Sequence, residues 1–360
     1  MTDLEKLCSR VTEAADCAVI TDDVNRRYFT AMKSSAGTLV VFPEKAYFII
    51  DFRYIEKAKK TVTACEVILQ DKLYEQINSL IEKHGAKTVS VNADTCTLSE
   101  LIAYQQKLNA EVIADTKLAE IIREIRTVKS QEQIDKIIKA QRIAEKGFAH
   151  MLDFIKAGRT EKEIQLELDY YMLKNGAEAL SFDTIALSGS NTSLPHGVPS
   201  DKKVESGEFV LMDFGATYDG WHSDMTRTVC VGKPSDKMKS VYETVLTAQL
   251  TALDAVKAGM SGKALDKIAR DIITEAGYGD NFGHSLGHGV GVEIHESPYA
   301  SPSREDILPE NSIVTVEPGI YLEGKFGVRI EDFVVVTENG CINMTCLLYT
   351  SPSPRDRSLS

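Results

Sequence analysis

The sequence contains no apolar run that approaches the ~20 residues needed for a membrane-spanning helix. Its first ten residues, MTDLEKLCSR, lack the apolar stretch behind a basic start that marks a secretory signal. Basic residues are in deficit, and the formal net charge at pH 7 is −12. Nucleic acids and anionic membranes both require clustered lysine and arginine. We therefore expect neither a nucleic acid nor a membrane as a partner.

Cysteine pairs at close spacing are also missing. The seven cysteines are scattered along the chain, and no C-x-x-C motif occurs. An odd, scattered set argues against a disulfide framework and fits a reducing compartment. The sequence therefore predicts a cytoplasmic protein.

The pattern of the 360 residues predicts two domains. Residues 1–125 alternate short β-rich runs, such as Ala46–Ile50, with helical segments, such as Leu73–His84, which is typical of an α/β domain. Residues 126–345 begin with long helical periodicity and continue into strands and further helices, which predicts an α+β domain. Residues 346–360 lack periodicity and contain two Ser-Pro steps, so we expect a disordered or non-native tail.

Two helix starts are marked in the second domain by capping-box spacing. Ser130 precedes Gln133 by three residues, and Thr160 precedes Glu163 by the same interval. These signals predict a long helix from Ser130 that ends at Gly158. They also predict a second helix from about Thr160 to Lys174.

Five residues in the second domain have the chemistry of one dinuclear metal site. Four are carboxylates and one is an imidazole: Asp213, Asp224, His288, Glu317 and Glu331. Hard oxygen ligands with a single nitrogen suit a pair of Mn²⁺, Co²⁺ or Zn²⁺ ions better than a structural zinc held by thiolates. A metal pair lowers the pKa of a bound water and makes it a nucleophile. The set therefore predicts a metallohydrolase.

The surroundings of the two aspartates support this interpretation. Asp213 lies in the apolar run LMDFG, where a carboxylate is costly unless it is paired or bound to metal. Asp224 follows eleven residues later, and a turn at Asp219-Gly220 between two strands would bring both carboxylates together. The alternative is that each aspartate is solvated, one at a strand end and one in a turn.

The segment HSLGHGVGVEIHE places His284, His288 and His295 among three glycines. A glycine-rich backbone lets side chains approach a ligand closely. A single histidine is usually structural, but three on such a scaffold indicate a site.

Together, the motifs LMDFG, SDMTRT, HSLGHGVGVEIHE, VEPG and VRIED resemble those of the pita-bread metallopeptidases, which include aminopeptidase P, prolidase and methionine aminopeptidase. The similarity covers roughly residues 130–345. The preceding domain resembles that of aminopeptidase P, prolidase and creatinase, which disfavours methionine aminopeptidase. The resemblance implies a pita-bread catalytic domain over 126–345 and a creatinase-type amino-terminal domain over 1–125.

The resemblance also implies how the five ligands share two divalent ions. Asp213 would bind one ion through both oxygens, Asp224 and Glu331 would bridge the two, and His288 and Glu317 would complete the shell of the other. Manganese is the expected metal, with cobalt or zinc as alternatives.

Four residues are implied to act on the substrate. They are His196, His284, His295 and Glu317. His196, in the run LPHG, matches a histidine on the substrate side, while His284 and His295 match histidines that line the pocket and stabilise the developing oxyanion. Glu317 would accept or shuttle the proton of the attacking water. Thr226 and Arg329 match groups that orient Asp224 and Glu331.

The implied activity is hydrolysis of the amino-terminal Xaa-Pro bond of peptides, as in an Xaa-Pro aminopeptidase. The alternative is an Xaa-Pro dipeptidase, or prolidase, and a less favoured one is an inactive binding module on the same scaffold. Tyr299 stands where some prolidases carry an arginine that holds the dipeptide carboxylate, which favours the aminopeptidase. The expected partners are peptides with proline in second position and a second copy of the chain, in a homodimer.

Overall fold

The computed structural model describes residues 1–345, so the expected tail at 346–360 lies outside the described residues. The chain divides into two compact units, Met1–Arg126 and a second unit that begins at Thr127. This division lies one residue from the boundary expected at 125/126. Among the described residues, no helix is both long and apolar enough to cross a membrane.

The helices and strands alternate in the first unit and are more segregated in the second. The α-helices are α1 Asp3–Arg10, α2 Asp23–Thr30, α3 Ile55–Thr61, α4 Leu73–His84, α5 Leu98–Lys107, α6 Lys117–Thr127, α7 Gln131–Phe154, α8 Glu161–Lys174, α9 Asp236–Ala255 and α10 Gly262–Glu275. The first-unit strands are β1 Cys17–Ile20, β2 Thr38–Val41, β3 Ala46–Ile50, β4 Glu66–Leu69, β5 Thr88–Val91 and β6 Glu111–Ile113. The second-unit strands are β7 Ala179–Leu180, β8 Ile185–Ser188, β9 Phe209–Phe214, β10 Ala216–Tyr218, β11 Trp221–His222, β12 Met225–Cys230, β13 Gly287–Gly289, β14 Glu296–Ala300, β15 Ile313–Val316, β16 Gly319–Leu322, β17 Phe326–Arg329, β18 Asp332–Thr337 and β19 Gly340–Asn343.

The first unit is built on a six-stranded sheet in the order β4-β3-β2-β1-β5-β6. The three central strands β3, β2 and β1 are antiparallel, and the outer pairs are parallel. Every residue of β1 is buried because helices cover both faces. Ala18 and Ile20 enter one apolar core with α1 and α6, whereas Cys17 and Val19 enter a second core with α4.

The second unit surrounds its sheets with two helix pairs, α7 with α8 and α9 with α10. Strands β8, β9 and β12 form one sheet, and β15, β18 and β19 form another. The hairpin β16–β17 is antiparallel and pairs Gly319 with Arg329. Helix α7 packs in one apolar core with β9, and α9 packs in a second core with β15 and β18.

Both predicted capping boxes are confirmed, since the side chains of Ser130 and Thr160 cap α7 and α8. The predicted end of the first helix is wrong by several residues. Helix α7 ends at Phe154, because Ile155 is extended (φ −71°, ψ 121°) and buries its side chain in the core. Gly158 instead has φ +92° in the connection to α8, a conformation that favours glycine.

Candidate metal centre

The hairpin that joins β9 to β12 positions the two aspartates. Between these strands, β10 and β11 form a tight turn at Asp219 and Gly220, whose φ angles are +48° and +82°. This is the local geometry that an Asp-Gly turn favours. Asp213 lies on β9 opposite Thr226 of β12, and Asp224 directly precedes β12. The expected strand–turn–strand arrangement is therefore present.

Three predicted ligands converge in the interior of the second unit. One ligand atom each from Asp224, His288 and Glu331 lies within 4.8 Å of the other two. His288 Nε2 is 3.6 Å from Asp224 Oδ2 and 3.4 Å from Glu317 Oε1. These separations are long for hydrogen bonds and suit donor atoms arranged around a cation.

The tautomer of His288 fits metal binding. Its Nδ1 lies 3.0 Å from the Gly289 carbonyl oxygen, which can only accept a hydrogen bond. The proton therefore resides on Nδ1, and Nε2 presents a lone pair toward the carboxylates. This backbone contact is the usual way in which a protein fixes the orientation of a histidine ligand.

A second set of contacts holds the carboxylates in place. Thr226 Oγ1 donates to Glu331 Oε2 at 2.7 Å, as expected for an orienting group. Arg329 differs from expectation, because its guanidinium donates to Asp213 Oδ2 at 2.5 Å and to Thr226 Oγ1 at 3.1 Å. It thus orients Asp213 directly, and reaches Glu331 only through Thr226.

Asp213 keeps one oxygen free for a ligand. Its Oδ1 is buried and has no hydrogen-bond partner among the described residues. A buried carboxylate oxygen without a partner is costly, and coordination of a cation is the usual compensation. The orphaned oxygen, the bare His288 nitrogen and the carboxylate cluster together fit a divalent metal site.

Burial and mutual repulsion disfavour the charged form of three carboxylates. Burial raises the pKa of Asp224 and Glu331 well above the ordinary range, and neighbouring carboxylates add to the shift. Burial raises the pKa of Glu317 to about 8. Burial lowers the pKa of His288 to about 4, which keeps the imidazole neutral. A divalent cation would reverse the penalty on the carboxylates, because it stabilises their charge.

These shifts predict how the metal-free protein responds to pH. Between pH 6.5 and about 8, folded Glu317 holds a proton that the unfolded chain has released, so its raised pKa stabilises the fold only at the lower pH. The buried histidines oppose this trend near pH 6.5, where half of the unfolded imidazoles still hold a proton, and their opposition fades as the pH rises toward 8. We expect the unfolding midpoint of chelator-treated protein to fall as pH rises from 6.5 to 8. Thermal unfolding followed by circular dichroism measures it.

Two controls accompany that titration. Divalent metal should stabilise the protein more at pH 8 than at pH 6.5, since binding requires ionised carboxylates. Glu317→Gln, whose amide does not titrate, should reduce the slope of the metal-free series. A midpoint independent of pH in chelator would contradict the assignment of Glu317 to a buried, repulsive cluster.

His284 connects to the ligands through a tyrosine, Tyr321, that no sequence motif marked. His284 Nδ1 is 2.8 Å from the Ser285 carbonyl oxygen, and its Nε2 is 2.9 Å from the Tyr321 hydroxyl. That hydroxyl also accepts from Arg329 at 2.8 Å. Tyr321 lies four residues after Glu317 in a strand-rich region, and no local signal marks it as part of the site. Both ring nitrogens of His284 are therefore engaged, and its contact with an oxyanion stays a prediction.

His295 and His196 lie on the other sides of the cluster. The His295 ring meets the His288 ring edge-on, with centroids 4.3 Å apart. Burial lowers the pKa of His295, and the nearby Asp213 carboxylate opposes the shift. The pKa values of both His284 and His295 are also lowered by the charge of His196, which places His196 beside them although its own side chain is exposed.

A buried glutamate fastens the loop that carries His196. Glu161, at the start of α8, is fully buried and accepts hydrogen bonds from both ends of the loop. Ser188 donates through its backbone N–H at 2.7 Å, and Ser200 donates through its hydroxyl at 2.6 Å. Asn191 adds a contact at 3.0 Å. One carboxylate thus fixes the two stems between which His196 is displayed.

The buried carboxylate–imidazole cluster on this two-unit fold defines a metal-dependent hydrolase. Residues 135–338 match the model of metallopeptidase family M24, and residues 4–128 match the creatinase/prolidase N-terminal domain. The chain belongs to metallopeptidase family M24, whose members use divalent metals to hydrolyse peptide bonds.

Three relatives are similar over nearly the whole chain. The Xaa-Pro dipeptidase of Pyrococcus furiosus is 39% identical, over 95% of this chain and 97% of that one. The solved Xaa-Pro dipeptidase of Bacillus anthracis superposes with a TM-score of 0.93 at 40% identity, covering 97% and 98% of the two chains. The solved X-Pro aminopeptidase of Thermotoga maritima superposes with a TM-score of 0.88 at 40% identity, covering 93% of this chain and 97% of that one. These likenesses confirm the pita-bread catalytic fold and the creatinase-type amino-terminal domain.

Proposed function

We propose that this protein is an Xaa-Pro dipeptidase that uses two divalent metal ions. The proposal rests on the intact ligand set. Asp224, His288 and Glu331 converge beside Glu317, and Asp213 has one carboxylate oxygen without a hydrogen-bond partner among the described residues. An inactive scaffold would have no reason to keep three carboxylates whose charge burial opposes. The relatives named as Xaa-Pro dipeptidases from two organisms support the substrate class.

The sequence alone favoured the aminopeptidase, and the relatives shift that preference to the dipeptidase. The aminopeptidase stays the second candidate for two reasons. Tyr299 occupies the position where some prolidases carry an arginine, and the Thermotoga maritima relative is named an X-Pro aminopeptidase.

Metal bound here would supply an acidified water and polarise the scissile carbonyl. Asp213, Asp224, His288, Glu317 and Glu331 would hold the ions. Glu317 Oε1 accepts a hydrogen bond from Thr315 at 3.1 Å, which leaves the other oxygen to take the proton of the attacking water. The same oxygen would then pass the proton on to the leaving nitrogen, as a general acid.

The histidines would shape the substrate side. His295 and the exposed His196 are the groups placed to meet the peptide, because His284 has both nitrogens occupied. Tyr321 and Arg329 would keep Asp213 fixed while the substrate exchanges. We assign the oxyanion contact to His295 and the binding of the proline side of the peptide to His196.

Peptide length decides between the two candidates. We expect purified protein to hydrolyse Xaa-Pro dipeptides with a higher kcat/KM than the matching Xaa-Pro-Yaa tripeptides. Each pair is assayed after loading with Mn²⁺, Co²⁺ or Zn²⁺, and a dipeptide without proline serves as the control. A clear preference for tripeptides would establish the aminopeptidase instead, and no hydrolysis of either would overturn both.

Metal identity, assembly and location complete the proposal. Manganese is the proposed ion, at two per chain, and elemental analysis of purified protein tests it. We also propose a homodimer, which sedimentation at micromolar concentration measures directly. A cytoplasmic location is supported by cysteines that are all unpaired in the described part of the chain.

A further inference from the structure

Helix α10 carries two ion pairs at i,i+4 spacing that differ in their surroundings. Lys267 and Asp271 form one pair at 2.6 Å, and both side chains are largely exposed. Asp266 and Arg270 form the other at 2.7 Å, and the Asp266 side chain is only 1% exposed. Exposed ion pairs on a helix contribute little to the stability of a protein. A buried one is costly unless its remaining donors and acceptors are used.

The Asp266–Arg270 pair, in which the aspartate is buried and the arginine is partly exposed, makes its remaining hydrogen bonds to one loop. Arg270 donates to the carbonyl oxygens of Phe282 and His284, each at 2.8 Å. Asp266 Oδ1 accepts from the backbone N–H of Leu286 at 3.0 Å. The pair therefore fastens three alternate residues of the segment 282–286.

The guanidinium also lies over the Phe282 ring, 4.3 Å from its centroid. That ring in turn meets the His284 ring edge-on at 5.0 Å. Arg270 thus holds His284 through a backbone hydrogen bond and through an aromatic neighbour. An arginine suits this place, because its planar fork can satisfy a carboxylate and two carbonyls at once.

The segment 282–286 is joined to the proposed metal ligands by hydrogen bonds. The Leu286 carbonyl oxygen accepts from the Glu317 backbone N–H at 2.9 Å. His284 Nε2 forms a hydrogen bond with the Tyr321 hydroxyl. That hydroxyl also accepts a hydrogen bond from Arg329, which in turn donates to Asp213. A displacement of His284 would therefore be transmitted to the far side of the cluster.

We propose that Asp266 and Arg270 are a positioning pair that sets the location of His284 relative to the metal ligands. The inference rests on the proposed peptidase function, in which His284 forms part of the pocket and anchors Tyr321. Neither residue touches the substrate. The pair acts by fixing the backbone from which His284 projects.

The test is a double-mutant cycle on metal-loaded protein with the best Xaa-Pro dipeptide. Arg270→Ala should lower kcat by ~10–100-fold, the loss typical when a partner outside the ligand shell is removed. Metal content should stay near wild type. In a His284→Ala background, Arg270→Ala should lower kcat only slightly further, because the effect of Arg270 on kcat depends on His284. Lys267→Ala removes the neighbouring exposed pair on the same helix and should leave kinetics unchanged.

If Arg270→Ala does not fold, Arg270→Lys takes its place in the cycle. Lysine keeps the charge beside Asp266 but cannot reach both carbonyls, so the same non-additive loss is expected. Additive losses, or full activity in the arginine variants, would overturn the inference. Failure of the proposed function appears separately, as wild-type protein that cleaves no Xaa-Pro peptide.

Discussion

Glu331→Ala is expected to abolish turnover while the fold is kept. Glu331 is almost fully buried and contributes an oxygen to the cluster with Asp224 and His288. Its removal takes away the carboxylate proposed to bridge the two ions and leaves the Thr226 hydroxyl without its acceptor. We expect kcat/KM to fall by more than ~10²-fold, since even partners outside the ligand shell cost up to that much. Initial rates on an Xaa-Pro dipeptide and elemental analysis measure the two effects.

The stability of this variant provides an independent check. Without metal, Glu331 is a buried acid whose pKa is raised first by burial and then by its carboxylate neighbours. The unfolding midpoint of the metal-free variant should therefore be no lower than that of metal-free wild type. Added metal should raise the midpoint of the variant by less than it raises that of wild type. Glu323→Ala, which removes an exposed glutamate of the same unit, is the matched control and should behave as wild type. Wild-type hydrolysis by Glu331→Ala under controlled metal would refute the dinuclear site.

His196→Ala is expected to lower kcat/KM by ~10²-fold or more, within the range of general acid–base and positioning effects. His196 is exposed and close enough to His284 and His295 to lower their pKa values, but it does not belong to the converging ligands. Metal content should therefore stay at the wild-type level. Steady-state kinetics with dipeptide, alongside elemental analysis, separates the two quantities.

A second histidine offers the control for that experiment. His150 lies on α7. It forms a hydrogen bond with Glu167 at 2.6 Å and stacks on Tyr171, and both of these residues belong to α8. His150→Ala should leave kcat/KM unchanged. Loss of one metal equivalent in His196→Ala would move His196 into the ligand set and overturn its proposed place on the substrate side.

Local signals predicted the elements that have strong local causes. Helix α4 and strand β3 have the predicted bounds, and the capping boxes at Ser130 and Thr160 mark the starts of α7 and α8. Helices α1 and α2 were missed, although the capping-box spacing of Thr2 and Glu5 marks the start of α1. The end of α7 was misplaced because the core position of Ile155, which no local pattern encodes, stops the helix before Gly158.

The sequence by itself determined the chemistry of the ligands and the turn that joins two of them. Residue types carry their own donor atoms, and an Asp-Gly pair favours positive φ wherever it occurs, so Asp219 and Gly220 could be interpreted without a fold. Only the tertiary structure decided which groups meet. Arg329 turned out to orient Asp213, Tyr321 linked Arg329 to His284, and Arg270 reached the loop of His284. These contacts join residues that are up to 116 positions apart, and the raised pKa values follow from burial that only packing creates.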